Sequence, residues 1–267
     1  MKVLSGSEIA ARLKNRQAGQ VQRLQAVGIK PKLAIIQVKD DPAINTYVRL
    51  KKLYGGDIGV AVDIHFIAQL KAPALIKRLN EDPKVHGIIV QLPLTDASQT
   101  DEIVNLVASG KDVDGLSGAA KFEPATPMAI MWLLKEHRVG LAGKRVLIIG
   151  RGKLVGRPLL EILNRLSIQV EAADGKTANL EELVRAADVI ITATGQPGLI
   201  GPGMLKSGAV VVDAGVASEA GKTVGDLAEE VYHRSDISVT PPKGGVGPLT
   251  VCALFENVLR AAQSKST

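Results

Sequence analysis

The sequence has one cysteine among its 267 residues, Cys252. A single thiol excludes an internal disulfide, and its setting in LTVCALFENVLRAA is typical of a small apolar core residue. The N-terminal stretch MKVLSGSEIAARLKNRQ soon becomes amphipathic and lacks the apolar core and cleavage site of a signal peptide. We therefore expect a cytoplasmic protein that is mature from Met1.

The chain also lacks long apolar runs, and only 3% of its residues are aromatic. No segment reaches the length that crosses a bilayer, so we expect no membrane association. The net charge of +6 would suit a nucleic-acid binder, but the basic residues are scattered through mixed-charge helices and few rings are present to stack on bases. Anionic small molecules are the predicted ligands, and a nucleic-acid-binding module is the weakest alternative.

Metal-ligand spacing is missing as well. The four histidines are far apart in the sequence, and none forms a short-spaced pair with another histidine or with the cysteine. The sequence therefore predicts no metal site.

What the chain does have is a regular alternation of short, β-branched apolar runs with amphipathic stretches, which predicts an α/β fold. Its length suits two domains with a cleft between them. The predicted strands are residues 32–38, 63–68, 87–92, 144–150, 168–173, 188–194 and 209–215. The later strands, with short helices between them, indicate a doubly wound sheet.

One predicted helix carries a candidate site. Asp41 can cap its start, and the Gly55–Gly56 pair is expected to end it. Tyr47 and Lys51 lie one turn apart on one face of this helix, so a ring and an ammonium group could meet one ligand together. The alternative is an ordinary helix surface with a half-buried tyrosine beside a solvated lysine.

A glycine turn follows the strand KRVLIIG. Gly150, Gly152 and Gly156 are spaced G-x-G-x-x-x-G between a strand and a helix, one residue longer than the usual dinucleotide fingerprint. Glycines allow close approach to a pyrophosphate at a helix N-terminus, although helix packing on a strand also selects glycine. The further strands downstream favour dinucleotide binding.

The end of the next strand reads EAADGKT and would meet the adenosine ribose. Asp174 is the candidate ribose ligand, and a carboxylate there repels a 2′-phosphate, whereas Arg151 and Lys176 attract one. The alternative for Asp174 is a turn residue before Gly175.

At this point the chain resembles the bifunctional methylenetetrahydrofolate dehydrogenase/methenyltetrahydrofolate cyclohydrolase family, called FolD in bacteria. The matching segments, in the family's order, are YVRLKK, GIIVQLPL, GKDVDG, ATP, GRGKLVGRPL, KTANL, TGQPGLI, VVVDAG, VGD and GGVGPLT. They extend over essentially the whole chain, and VQLPL, KDVDG and GGVGPLT are the most specific. The resemblance implies oxidation of 5,10-methylenetetrahydrofolate with NAD(P)⁺ and hydrolysis of the methenyl product to 10-formyltetrahydrofolate.

The resemblance also implies roles for four residues. Tyr47 would pack against the folate, Lys51 would transfer protons, Gln91 would hold Lys51 and the substrate, and Asp114 would anchor the pterin ring. Asp112 is expected only to shape the turn.

The implied cofactor is NADP, with NAD possible, and the implied substrate is a tetrahydrofolate derivative bound by a homodimer. The candidate cofactor-binding residues are Gly150, Arg151, Gly152, Val155, Gly156, Asp174, Lys176, Thr177, Thr194 and Gly195. The predicted domains are a folate-binding catalytic domain of residues 1–122 with the C-terminal helix 248–267, and a Rossmann NAD(P)-binding domain of residues 123–247.

Several positions depart from the family pattern. Ile44 stands where the family has a serine beside the tyrosine–lysine pair, and Gly152 replaces another serine in the glycine turn. Asp174 and Gly175 replace a His-Ser pair, whose serine helps to hold a 2′-phosphate. The isoleucine leaves open a dehydrogenase with weak cyclohydrolase activity. Departures in the loop LSGAAKFEPATPMA and at Pro242–Lys243 leave open a non-catalytic folate- or nucleotide-binding paralogue.

Overall fold

The computed structural model of the chain describes residues 1–219 and 222–264. They form two compact units, one combining Met1–Ala10 with Thr126–Thr250 and the other combining Ala11–Ala125 with the chain from Val251 onwards. Each unit contains a parallel sheet and helices, which confirms the predicted two-domain α/β fold. None of the helices in the described ranges has the length and apolar character of a bilayer-spanning segment.

Strands and helices alternate along most of the chain. The strands are β1 (Lys2–Val3), β2 (Lys32–Gln37), β3 (Ala61–Phe66), β4 (Gly87–Val90), β5 (Val146–Ile149), β6 (Val170–Ala173), β7 (Val189–Thr192), β8 (Val210–Asp213), β9 (Ala217–Glu219), β10 (Lys222–Val224) and β11 (Ser238–Val239). The α-helices are α1 (Ser7–Ala26), α2 (Pro42–Ile58), α3 (Ala72–Glu81), α4 (Thr100–Val104), α5 (Ala125–Glu136), α6 (Gly156–Arg165), α7 (Leu180–Ala186) and α8 (Val246–Gln263).

The smaller sheet has the order β3-β2-β4, with all pairs parallel. Its central strand β2 is buried on both faces because consecutive residues Leu33 to Ile36 have no exposed surface. This is the continuous apolar pattern of a parallel strand covered by helices, and α3 supplies Leu75, Ile76 and Leu79 to the same core.

Helix α2 begins as predicted but does not end at Gly55–Gly56. It continues to Ile58, and Gly59, with φ of 84°, forms the left-handed cap. Gly55 serves packing instead, because a Cβ there would overlap the side chain of Val62 and press on the ring of Phe255. The glycine that ends the helix is therefore the one that adopts a positive φ.

The larger sheet has the order β1-β11-β8-β7-β5-β6, and its paired strands are parallel. The chain passes from β5 to β6 on one side of β5 and then to β7 on the other side. Such a reversal at the carboxyl edge of a doubly wound sheet is the usual place for a dinucleotide. Gly150 follows β5 at this point.

Strand β1 joins this larger sheet by pairing with β11, Lys2 opposite Ser238. The sequence analysis assigns residues 1–10 to the catalytic domain, but in the structure they belong to the compact unit that contains the larger sheet. A strand of two residues carries no periodicity, so the sequence contains no signal for it.

Candidate active site

The start of α2 fixes the direction in which Tyr47 and Lys51 point. The Oδ1 atom of Asp41 accepts hydrogen bonds from the backbone N–H groups of Ala43 at 2.9 Å and Ile44 at 3.2 Å. This is the predicted N-cap, and it satisfies two of the N–H groups that a helix start leaves without partners.

Lys51 meets Gln91 at the end of β4. Its Nζ donates to Gln91 Oε1 at 2.8 Å. Gln91 is itself held, because its backbone N–H donates to the carbonyl of Ile36 at 2.9 Å and its Nε2 donates to the carbonyl of Leu92 at 3.0 Å. The carboxamide therefore presents its oxygen to the ammonium group.

Asp114 is the charged partner of this pair. Burial lowers the pKa of Lys51 below that of an ordinary lysine, and the Asp114 carboxylate opposes the shift. Burial likewise raises the pKa of Asp114, which Lys51 opposes and Asp112 reinforces. The two groups attract each other in a poorly solvated place, so Lys51 is closer to neutrality than a surface lysine and suits proton transfer.

The loop that carries Asp114 is tied down by its neighbours. Asp112 is buried, and its two oxygens accept from the backbone N–H groups of Gly115 at 3.0 Å and Ser117 at 2.8 Å. Asp112 thus shapes the turn, as predicted. The buried side chain of Asn257 in α8 holds the far side of the loop by donating to the carbonyls of Val113 and Glu123, both at 2.9 Å.

Tyr47 is 37% exposed, so much of its ring is open to a ligand. Partial burial raises the pKa of its hydroxyl, which stays protonated at neutral pH. One turn earlier, Ile44 is 4% exposed and brings an apolar side chain rather than a hydroxyl to this part of the helix.

The glycine turn after β5 is sterically tight at two of its three glycines. Gly150 has a φ of 115°, and a Cβ there would overlap the carbonyl of Ala193. A Cβ on Gly156, the first residue of α6, would overlap the carbonyl of Gly150. Gly152, by contrast, has open space around its Cα, and Val155 directly precedes the helix. The close turn and the helix N-terminus fit a pyrophosphate.

The loop after β6 is a turn in which Asp174 accepts two hydrogen bonds. Its Oδ1 accepts from the backbone N–H of Lys176 at 2.9 Å and from the hydroxyl of Thr177 at 3.3 Å. Asp174 therefore forms the turn, at the strand end where a ribose is expected, while its ribose contact stays a prediction. Arg151 donates to the carbonyl of Ala172 at 2.7 Å and so ties the glycine turn to β6.

Three residues that the sequence did not single out complete this edge of the sheet. The buried carboxylate of Asp226 accepts from the backbone N–H groups of Thr194 and Gln196, on either side of Gly195. Gln196 places its carboxamide against Gly175. Asp213 accepts from the hydroxyl of Thr192 at 3.1 Å, and burial raises its pKa. The motifs VVVDAG and VGD contained both aspartates, but spacing gave no reason to pair them.

The candidate residues thus fall into two groups, one in each unit. Tyr47, Lys51, Gln91 and Asp114 belong to the unit with the small sheet. The cofactor candidates follow β5, β6 and β7 in the other unit. A Rossmann-type sheet with a close glycine turn, together with a lysine–carboxamide–carboxylate cluster, defines a dinucleotide-dependent enzyme of two α/β domains.

Two family profiles match this chain. The catalytic domain of tetrahydrofolate dehydrogenase/cyclohydrolase matches residues 4–114, and the NAD(P)-binding domain of the same enzymes matches residues 124–266. The chain belongs to the tetrahydrofolate dehydrogenase/cyclohydrolase family, which confirms the resemblance seen in the sequence.

Individual relatives agree over the full length. The bifunctional protein FolD of Geotalea daltonii is 37% identical and is matched over 99% of both chains. The crystal structure of the bifunctional FolD enzyme of Campylobacter jejuni, 38% identical, covers 99% of both chains with a TM-score of 0.93. The enzyme of Trypanosoma brucei, complexed with NADP and an inhibitor, is 29% identical, covers 99% of this chain and 98% of its own, and has a TM-score of 0.93.

Proposed function

We propose that the chain oxidises 5,10-methylenetetrahydrofolate with NAD(P)⁺ and hydrolyses the methenyl product to 10-formyltetrahydrofolate. The observation that carries the proposal is the hydrogen bond of 2.8 Å between Lys51 and Gln91, beside Asp114, in the unit that the catalytic-domain profile matches. A lysine that is held in one place and has a lowered pKa can accept and return the proton that the hydrolysis requires.

For the first reaction, a dinucleotide held by the loops after β5, β6 and β7 would supply the hydride acceptor for the methylene carbon. The protein's part is to hold the folate. The ring of Tyr47 offers a flat apolar surface to it, and the carboxylate of Asp114 can pair with the guanidine-like edge of a pterin. Gln91 keeps Lys51 directed at the one-carbon unit.

In the second reaction water adds to the methenyl carbon and gives a proton to the neutral amine of Lys51. The bond from this carbon to N5 then breaks, Lys51 returns the proton to N5, and the hydroxyl of the adduct releases its proton to form the 10-formyl group. The lowered pKa of Lys51 favours the first of these transfers because more of the amine is unprotonated at neutral pH.

The turn after β5 fits a dinucleotide, because its closely packed glycines lead directly to the N-terminus of α6, where a pyrophosphate can meet backbone N–H groups. We propose NADP as the cofactor with measurable activity toward NAD, since Arg151 and Lys176 attract a 2′-phosphate while Asp174 repels it. We further propose a cytoplasmic homodimer that associates through the nucleotide-binding unit, for which light scattering of the purified protein is the test.

A specific observation favours a second candidate, a dehydrogenase with weak cyclohydrolase activity. Ile44 is 4% exposed and adds no hydroxyl to the helix that carries Lys51. In that case methenyltetrahydrofolate accumulates during the oxidation.

One experiment separates these possibilities. Oxidation of methylenetetrahydrofolate is followed in parallel with NADP⁺ and NAD⁺, while reduced cofactor and methenyltetrahydrofolate are recorded separately by absorbance. Reduced cofactor without methenyl accumulation supports both activities, and accumulation supports the dehydrogenase alone. Absence of turnover with either cofactor contradicts the proposal and favours a non-catalytic paralogue.

A further inference from the structure

The loop after β7 is shaped by one buried charge. Asp226 has no exposed surface. Its Oδ2 accepts from the N–H of Thr194 at 2.7 Å and its Oδ1 accepts from the N–H of Gln196 at 2.9 Å. Gly195 between them has a φ of 66°, a backbone conformation that residues other than glycine rarely adopt. The carboxylate therefore holds a turn of unusual backbone conformation.

This loop packs against both other loops at the carboxyl edge of the sheet. The carbonyl of Ala193 lies so close to Gly150 that no Cβ fits there. At its other end, Gln196 Oε1 lies 2.7 Å from the position that a Cβ on Gly175 would take. The loop therefore connects the glycine turn with the turn that begins at Asp174.

Asp226 is in turn held by Asp213 at the end of β8. Asp213 Oδ2 accepts from the backbone N–H groups of Asp226 at 2.9 Å and Leu227 at 3.2 Å. Each carboxylate also fills the space beside a glycine of the opposite segment, Asp226 at Gly215 and Asp213 at Gly225. Asp213 at the end of β8 thus holds the backbone of Asp226, and the carboxylate of Asp226 holds the loop after β7.

We propose that Asp226 is a positioning residue for the dinucleotide, holding Thr194–Gln196 in the binding conformation before the cofactor arrives. The proposal rests on the proposed function, since it names a buried residue that holds one loop of the same cofactor site. A loop ordered in advance loses less conformational entropy on binding, so the gain is in cofactor affinity.

Asp226→Asn is the test variant, because it keeps the size of the side chain. Its amide group turns an N–H donor toward one of the two loop N–H groups, which loses its acceptor. We expect the Kd and KM for NADP⁺ to rise about tenfold or more, while kcat and the KM for the folate stay within about twofold. A residue that mattered for stability alone would lower the melting temperature without this separation of constants.

Asp188→Asn is the matched control. Asp188 also accepts a backbone N–H, from Arg145 at 2.8 Å, and it precedes β7 at the opposite edge of the same sheet. This variant is expected to lose stability but to keep the wild-type Kd for NADP⁺ within about twofold.

A variant-free measurement covers the case in which Asp226→Asn does not fold. In the wild-type protein without cofactor, the amide protons of Thr194 and Gln196 are expected to exchange with solvent at least about a hundredfold more slowly than an exposed loop amide. Fast exchange at both, or equal NADP⁺ affinity in wild type and Asp226→Asn, would overturn the inference while leaving the proposed function in place. A wild-type protein that binds no dinucleotide would overturn both.

Discussion

Replacing Lys51 by methionine tests the centre of the proposed mechanism. Methionine keeps an unbranched stem of similar length and removes the ammonium group that donates to Gln91. General acid–base catalysis contributes roughly 10²- to 10⁴-fold, so cyclohydrolase kcat is expected to fall by that factor, equivalent to about 3–5 kcal/mol. Affinity for the dinucleotide is expected to stay unchanged, because the cofactor candidates belong to the other unit.

The fold is expected to survive this change. The variant loses a charge-assisted hydrogen bond of about 1.5–3 kcal/mol, but it also removes the unfavourable burial of an ammonium group, so the two effects largely offset each other. Asp114 is left without the cation that lowers its pKa, and it takes up a proton rather than remaining as an unpaired buried charge.

The pH dependence of stability provides a second comparison of the wild type with the Lys51→Met variant. Because the pKa of Lys51 is lowered in the folded state, the unfolded chain binds more protons between that pKa and the ordinary lysine value of about 10.4. Stability therefore rises with pH through this window in the wild type. The methionine variant lacks this rise, which denaturant titrations at several pH values detect.

The assay is hydrolysis of methenyltetrahydrofolate, followed by the loss of its absorbance at equal protein concentrations. Lys52→Met is the control, since Lys52 is the exposed neighbour on the same helix. A folded Lys51→Met protein that hydrolyses the substrate as fast as the control would refute the role assigned to Lys51.

Three further substitutions test other parts of the proposal. Asp114→Ala is expected to raise the KM for the folate at least about tenfold without changing the Kd for the dinucleotide, whereas an equal loss of both affinities would mark the residue as structural. Asp174→Ser should shift the ratio of kcat/KM values toward NADP by about tenfold, or roughly 1.4 kcal/mol, because it removes a negative charge near the expected 2′-phosphate. An unchanged ratio would leave the choice to Arg151 and Lys176. Ile44→Ser is expected to raise cyclohydrolase activity relative to dehydrogenase activity, and a constant ratio of the two activities would show that a hydroxyl there is irrelevant.

The sequence predicted the longer strands β2 to β8 and the start of α2 because these depend on local patterns, whereas the two- and three-residue strands β1, β9, β10 and β11 were not predicted. Strand β2 is a short β-branched run, and Asp41 caps the residues that directly follow it. The end of α2 was predicted wrongly because Gly55 is selected by Phe255, which is two hundred residues away in the sequence. Local glycine statistics contain no such information.

The same limit applies to the candidate sites. Lys51 and Gln91 were paired only through a family resemblance, since 40 residues separate them and no spacing rule connects a helix to a distant strand end. Asp226 was missed because its importance lies in which backbone N–H groups it satisfies, and these belong to residues about 30 positions earlier. Backbone partners become visible only when the sheet has been assembled.

The two hydrogen bonds from Asn257 affect the order in which the protein can fold during its synthesis. The loop bearing Asp114 needs the amide of Asn257 at the carbonyls of Val113 and Glu123, and Asn257 is separated from Val113 by 144 residues. A nascent chain that has been synthesised only to the end of β8 still lacks Asn257 and both of its hydrogen bonds. The loop that carries Asp114 therefore obtains these two contacts only after α8 has been synthesised, long after the loop itself.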